Sequence, residues 1–156
     1  MSFSLKNFTE LGDTEKSMVL GWRNNDNIRK WMFHQELISL EQHRAFIDSL
    51  RNKKDALYFL LYENKDAVGV IDFTDIDLQK GSAEIGLYAN PSLHGVGKKL
   101  MQNIISYGFG HLKLKQLYTA VFKSNTKAIS LYRRFDFQQY KETKEILYME
   151  LYNEDR

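Results

Sequence analysis

A glycine turn set between a strand and a helix constrains this chain most: Asn90-Pro91-Ser92-Leu93-His94-Gly95-Val96-Gly97-Lys98-Lys99-Leu100. It follows a strand-like run over residues 83–89 and opens an amphipathic pattern over residues 100–112. Strand, Gly-x-Gly turn and helix N-terminus together make an anion site. Glycine lets the backbone approach a phosphate closely because no Cβ intervenes. The first helical N–H groups lack intrahelical partners and carry the positive end of the helix dipole. Lys98 and Lys99 add charge at that spot. Alone, the turn fits a plain surface loop; the segment downstream gives it weight.

Residues 118–122, Tyr-Thr-Ala-Val-Phe, read as a strand. Ser124-Asn125-Thr126-Lys127-Ala128-Ile129-Ser130-Leu131-Tyr132 follows, then Phe135-Asp136-Phe137. Asn125 is a good helix N-cap. Asn125, Ala128 and Tyr132 recur at helical spacing and share one face. With these residues in view, the chain resembles the GCN5-related N-acetyltransferases (GNATs) over nearly its whole length. The resemblance implies an α/β fold with a mixed, mostly antiparallel sheet of about seven strands flanked by helices. It implies acetyl-CoA as co-substrate. The Gly95-Val96-Gly97 turn, with His94, Lys98 and Lys99, looks like the pyrophosphate loop. The Asn125/Ala128/Tyr132 face looks like the second coenzyme A element. Ser92 stands where the family often has Gln or Arg, at a position that acts mainly through its backbone.

Composition narrows the class. The chain has 156 residues, enough for one domain with a proper core, and we expect residues 1–156 to form it. An apolar share of 43% with ten Phe and nine Tyr fits a globular protein. No apolar run nears the roughly 20 residues of a membrane helix, and residues 1–6 lack the features of a secretory signal. A cytoplasmic location is expected. With no cysteine there is no disulfide, no thiolate metal site and no thiol nucleophile. His34, His43, His94 and His111 are not at metal-ligand spacing, so no metal is expected. A net charge of +2 is too small to imply nucleic acid. The cations are better explained by local anionic ligands.

Along the chain, residues 3–8 read as a first strand, and Asp13 reads as the cap of a helix running to Trp22. Residues 24–27 form a turn cluster, and residues 28–33 suit a short helix. Ser39 with Gln42 forms a capping-box pattern. Residues 58–62 and 67–73 read as strands around an Asn64-Lys65-Asp66 turn. Another strand spans residues 82–89, and a final strand pair lies near residues 138–140 and 146–152.

Acetyl transfer needs a neutral amine, a polarised carbonyl and a stabilised thiolate. Without a cysteine, direct attack in a ternary complex is the economical route. By spacing alone Tyr132 belongs in the core beside Leu131 and Phe135; the resemblance makes it the acid for the leaving thiolate. The resemblance also implies that main-chain N–H groups of Leu87, Tyr88 and Ala89 serve as oxyanion donors. Asp72 and Glu84 interrupt apolar strands and are the candidate proton acceptors, with Asp72 ranked first; either could equally face solvent.

The acceptor side rests on residues 22–32. Trp22, Arg23, Asn24, Arg29, Trp31 and Met32 give indoles for stacking and guanidinium groups for phosphate. The alternative is that both indoles plug the core. Tyr88 and His43 are further candidates, and Arg29 is favoured over Arg23 for contact. Within the GNATs, these residues with Gly69-Val70-Ile71-Asp72-Phe73 resemble enzymes that acetylate the 4-amino group of UDP-4-amino-4,6-dideoxy-N-acetyl-β-L-altrosamine. That implies a UDP-amino-sugar acceptor, pseudaminic acid biosynthesis and flagellin glycosylation, and it allows a homodimer. Two other readings stand: a ribosomal-protein-type N-terminal peptide acetyltransferase, and a non-catalytic acetyl-CoA-binding module.

Overall fold

Among the described residues, seven strands form one sheet in the order β1-β2-β3-β4-β5-β7-β6. The structure, a computed structural model, describes residues 2–155. The strands are β1 Phe3–Asn7, β2 Leu57–Glu63, β3 Asp66–Asp77, β4 Ser82–Ala89, β5 Gln116–Phe122, β6 Gln138–Glu142 and β7 Ile146–Tyr152. The helices are α1 Asp13–Asn24, α2 Asp26–Arg29, α3 Leu40–Ser49, α4 Gly97–Ile105 and α5 Thr126–Arg134. All strand pairs are antiparallel except β4 with β5. This is the mixed, mostly antiparallel sheet that the sequence implies.

Alternation along the strands sorts side chains onto two faces. Phe59, Leu61, Ile71, Phe73, Ala83, Ile85 and Leu117 pack with Leu100, Met101 and Ile104 of α4 and Ile129 and Tyr132 of α5. Leu60 and Val70 pack on the opposite face with Val19 and Trp22 of α1 and Ile47 of α3. Each fully buried Leu, Ile or Phe contributes about 1.5–3 kcal/mol. Truncating Leu117, buried at the centre of the larger cluster, to Ala would cost about 2–5 kcal/mol.

Local signals explain the helix starts. Ser39 Oγ accepts from Gln42 N at 3.1 Å and Gln42 Oε1 accepts from Ser39 N at 2.9 Å, completing the capping box. In α1, Glu15 accepts from Gly12 N at 2.9 Å, so Gly12 is the cap and Asp13 is already helical. α2 starts at Asp26 because Asn25 accepts from Asn27 N, two residues earlier than composition suggests. The amphipathic run after Leu100 leaves α-geometry at Ser106 and closes as a π-helical turn, Ser106–His111. Among the described residues, no helix is long and apolar enough to cross a membrane.

Candidate active site

The candidate site lies where β4 and β5 part. They are paired only at Ser82↔Gln116, Ala83↔Leu117 and Glu84↔Tyr118. At the next position the Thr119 hydroxyl donates to Ile85 O at 3.2 Å. Beyond it β4 runs to Ala89 and β5 to Phe122 without facing each other. Asn90 N donates to Val68 O across the β3–β4 ladder at 2.9 Å. Antiparallel alternation then turns the Tyr88 N–H toward β3 and those of Leu87 and Ala89 into the gap. Two of the three expected main-chain donors therefore face it. Tyr88 instead packs its side chain with the α1/α3 cluster.

After β4, Asn90 braces the loop by accepting from Ser92 N at 3.0 Å and donating to Ala67 O at 3.1 Å. Gly95 has φ +72°, a left-handed turn that suits glycine. α4 begins at Gly97 after Val96, with no side-chain cap and no acidic residue in its first turn. Its N-terminal N–H groups thus remain available for an anion. A Cβ on Gly97 would meet Leu131 Cδ2 at 3.2 Å, so this glycine also lets α4 approach α5. Lys98 is exposed, as is His94. Lys99 is held by Glu63 at 2.8 Å. Across the loop, Asn125 caps α5 by accepting from Ala128 N at 3.3 Å.

Tyr132 is buried on α5 within hydrogen-bonding reach of Thr119. Burial raises its pKa, the negative charges of Asp72 and Glu84 add to the rise, and Thr119 acts the other way. The phenol therefore keeps its proton at neutral pH. Asp72 sits opposite Tyr58 on β2 and Gly86 on β4. Burial, with Glu84 nearby, pushes its carboxyl up to about 7. Glu84 is also raised, by burial and then by Asp75. Among the described residues, no group of three or more His, Cys, Asp or Glu side chains could hold a metal ion.

The segment after α1 is bound mostly to itself. Asn24 clamps the Ile38 backbone with both ends of its amide, at 2.8 and 2.9 Å. Arg29 donates to Gln35 O at 2.8 Å and Asp26 at 2.7 Å. It is 28% exposed and braces the loop, with its buried Nε unpartnered, so it is less exposed than its setting in the sequence suggests. Arg23 donates to His34 O at 2.7 Å, while its buried Nη1 has no partner. Trp22 is core, and Met32 is partly buried. His43 is only 5% exposed, with its ring edge on Phe8 and a hydrogen bond to the Lys16 backbone. It fills the α1–α3 interface, because α3 turns that face inward, rather than lying on the surface.

Residues 30–35 reach across the sheet end to β5. Phe33 packs on Phe122 with ring centroids 4.9 Å apart. Beside them lies a groove of about 470 Å³ lined by Lys30, Trp31, Phe122, Lys123 and Lys144, among others. Sequence reasoning missed Phe122, Lys123 and Lys144, which only the fold brings to Trp31. It also missed Thr119, though a hydroxyl between Leu117 and Val121 on an apolar face was a visible signal.

The sequence profile described as "Acetyltransferase (GNAT) family" matches residues 22–137. The chain belongs to this family. It is an acetyl-CoA-dependent N-acetyltransferase. Acetyltransferase PseH of Campylobacter jejuni is 40% identical over 151 residues, covering 97% of this chain and 94% of that protein. The crystal structure of Campylobacter jejuni N-acetyltransferase PseH in complex with acetyl coenzyme A superimposes with a TM-score of 0.84. It is 39% identical, over 97% of this chain and 99% of that one. Spermidine N-acetyltransferase from Vibrio cholerae, in complex with CoA and spermine, shares the fold at a TM-score of 0.87 and 19% identity, over 98% and 96% of the two chains. In this GNAT chain the uncapped start of α4 lies against α5, where a Cβ on Gly97 would meet Leu131.

Proposed function

We propose that this enzyme moves acetyl from acetyl-CoA to the 4-amino group of a UDP-4-amino-4,6-dideoxy sugar, in pseudaminic acid biosynthesis. Attack is direct, in a ternary complex. The likeness to PseH supports the pathway. The observation that carries the acceptor class is the groove beside Trp31. Lys30, Lys123 and Lys144 line it with two aromatic side chains and one carboxylate, Glu145, so lysines outnumber acids there. Lys123 is paired with Glu142 at 2.9 Å and Lys30 lies over the Trp31 ring at 5.3 Å. A nucleoside diphosphate offers charge for the lysines and a base for the aromatic surface. A polyamine would meet like charge there.

In this reading the acetyl carbonyl oxygen accepts from one of the two gap-facing N–H groups, that of Leu87 or that of Ala89, which stabilises it as charge develops. The sugar nitrogen bonds to the carbonyl carbon, the carbon–sulfur bond breaks, and Asp72 takes the amine proton. A carboxyl poised near 7 is matched to that task at neutral pH. Tyr132 donates a hydrogen bond to the departing thiolate, and that bond strengthens as charge builds on sulfur. The α4 N-terminus and Lys98 hold the pyrophosphate.

The experiment is steady-state kinetics on Lys30→Ala and Lys144→Ala. Removing uniform binding raises KM. Both variants should raise KM for the UDP-amino sugar and leave that for acetyl-CoA alone. The free amino sugar should be a poor substrate, insensitive to either change. Unchanged KM in both variants would take the nucleotide out of this groove.

A further inference from the structure

We infer that Gly86 is a positioning residue: the space left by its missing side chain is the seat of the Asp72 carboxylate. This rests on the reading of Asp72 as proton acceptor. Asp72 and Gly86 are directly opposed across the β3–β4 ladder. A Cβ on Gly86 would stand 2.6 Å from Asp72 Oδ2, 2.9 Å from Oδ1 and 3.0 Å from Cγ. The whole carboxylate therefore lies over the bare backbone. No side chain fits at residue 86 without displacing it.

The backbone does not otherwise call for glycine there. Only Gly81 and Gly95 among the described glycines have positive φ. Glycine inside a strand weakens it and often marks a close approach. Gly86 is two residues past the last β4–β5 pair, Glu84↔Tyr118, where the strands have separated. A carboxylate seated at residue 86 thus stands at the mouth of the gap.

The seat also explains how the carboxylate is held. The causes acting on its pKa are burial and the nearby Glu84, with no hydrogen bond pulling it down. Donors would stabilise the anion and make the group a weaker base. Held by shape, it is fixed in place and keeps its basicity. The titratable groups around it are Tyr58 on β2, Glu84 and Tyr88 on β4, and Tyr132 on α5.

Gly86→Ala, Asp72→Asn, Asp72→Ala and the double variants test this. Gly86→Ala should lower kcat by about 10²-fold, the scale of a lost general base. It should leave acetyl-CoA affinity unchanged and alter the pH profile of kcat/KM as Asp72→Asn does. In the Asp72→Asn background it should cause no further loss of kcat. Gly86→Ala should lower Tm in the wild type but not in Asp72→Ala, where the space is vacant. If Gly86→Ala alone fails to fold, Asp72→Ala/Gly86→Ala should still fold with the Tm of Asp72→Ala. An equal Tm drop in both backgrounds, or wild-type turnover and pH profile in Gly86→Ala, overturns the inference. Wild-type turnover in Asp72→Asn would instead overturn the proton-acceptor reading, while the Tm comparison still decides the seat.

Discussion

Thr119 closes the β4–β5 ladder with its side chain: its hydroxyl donates to Ile85 O at 3.2 Å, one position beyond Glu84↔Tyr118. The same side chain lies beside the Tyr132 hydroxyl. The point where the sheet opens and the point where the proposed acid is held are thus one place.

Tyr132→Phe should lower kcat by about 10²-fold, as loss of a general acid does. The ring still packs against Phe137, at a centroid distance of 5.4 Å, so the acetyl-CoA Kd should stay within a factor of two or so of wild type. Because the raised pKa makes full proton transfer to sulfur uphill, the hydrogen bond to the forming thiolate carries much of the effect. Titration calorimetry and single-turnover rates check the split. Wild-type turnover in Tyr132→Phe would return the residue to the core.

Asp72 gives activity and stability opposite pH signs. As base it must be ionised, so kcat/KM should rise through about pH 7. Its folded pKa lies above the unfolded value of 3.8, so the folded state binds more protons between those pH values. Its contribution to stability is therefore full below about pH 4 and declines as pH climbs to about 7. Asp72→Asn should flatten both trends, read from rate–pH curves and from urea midpoints across pH 4–8.

Glu15 titrates with the reverse sign. Although burial works against the anion, bonds from Lys6 at 2.8 Å, Tyr62 and Gly12 hold its carboxyl down to about 2, from 4.5. A depressed folded pKa gives stability that is present above pH 4.5 and lost as pH falls through 2. Glu15→Gln should cost about 1–3 kcal/mol at pH 7 and progressively less below pH 4. Chemical denaturation at pH 7 and pH 3 measures the difference.

The sheet was legible because strand alternation is local. Residues 67–73 and 82–89 carry it openly, and β3 and β4 form around those runs. The Ser39–Gln42 box was legible for the same reason. The start of α2 was missed because Asn25, not the composition of residues 28–33, sets it. The Gly95 turn and the Asn125 cap could be read because turn and helix signals are written along the chain, whereas spacing alone places Tyr132 in the core and only the family resemblance gives it a role. That both Arg23 and Arg29 bond carbonyls of the following loop, at His34 and Gln35, could not be read. Arg29 is committed to Asp26 and the Gln35 carbonyl, and no spacing rule encodes a bond to a loop carbonyl. His43 sits on a polar-looking helix and is buried only because Phe8 and α1 cover it. Gly86 reads as an ordinary strand glycine until Asp72 is placed across from it.

For the cofactor loop, Gly95→Ala is the cleaner probe than a change at Gly97. An added Cβ at Gly95 meets nothing within 4 Å, so only the left-handed backbone is strained. That costs about 1 kcal/mol. A change at Gly97 also pushes on Leu131. Gly95→Ala should raise the acetyl-CoA Kd about fivefold or more with a small loss of Tm; isothermal titration gives the Kd and a thermal melt gives the Tm. An unchanged Kd would remove this loop from pyrophosphate binding.

The most direct measurement is a competition assay with limiting acetyl-CoA. It contains a UDP-4-amino-4,6-dideoxy sugar, spermidine and a peptide with a free N-terminus at equal concentrations, with products resolved by mass spectrometry. The account predicts that the UDP sugar takes nearly all of the acetyl group, on its 4-nitrogen, and that spermidine takes least because of the lysine-lined groove. Faster acetylation of the peptide or of spermidine than of the UDP sugar would contradict it.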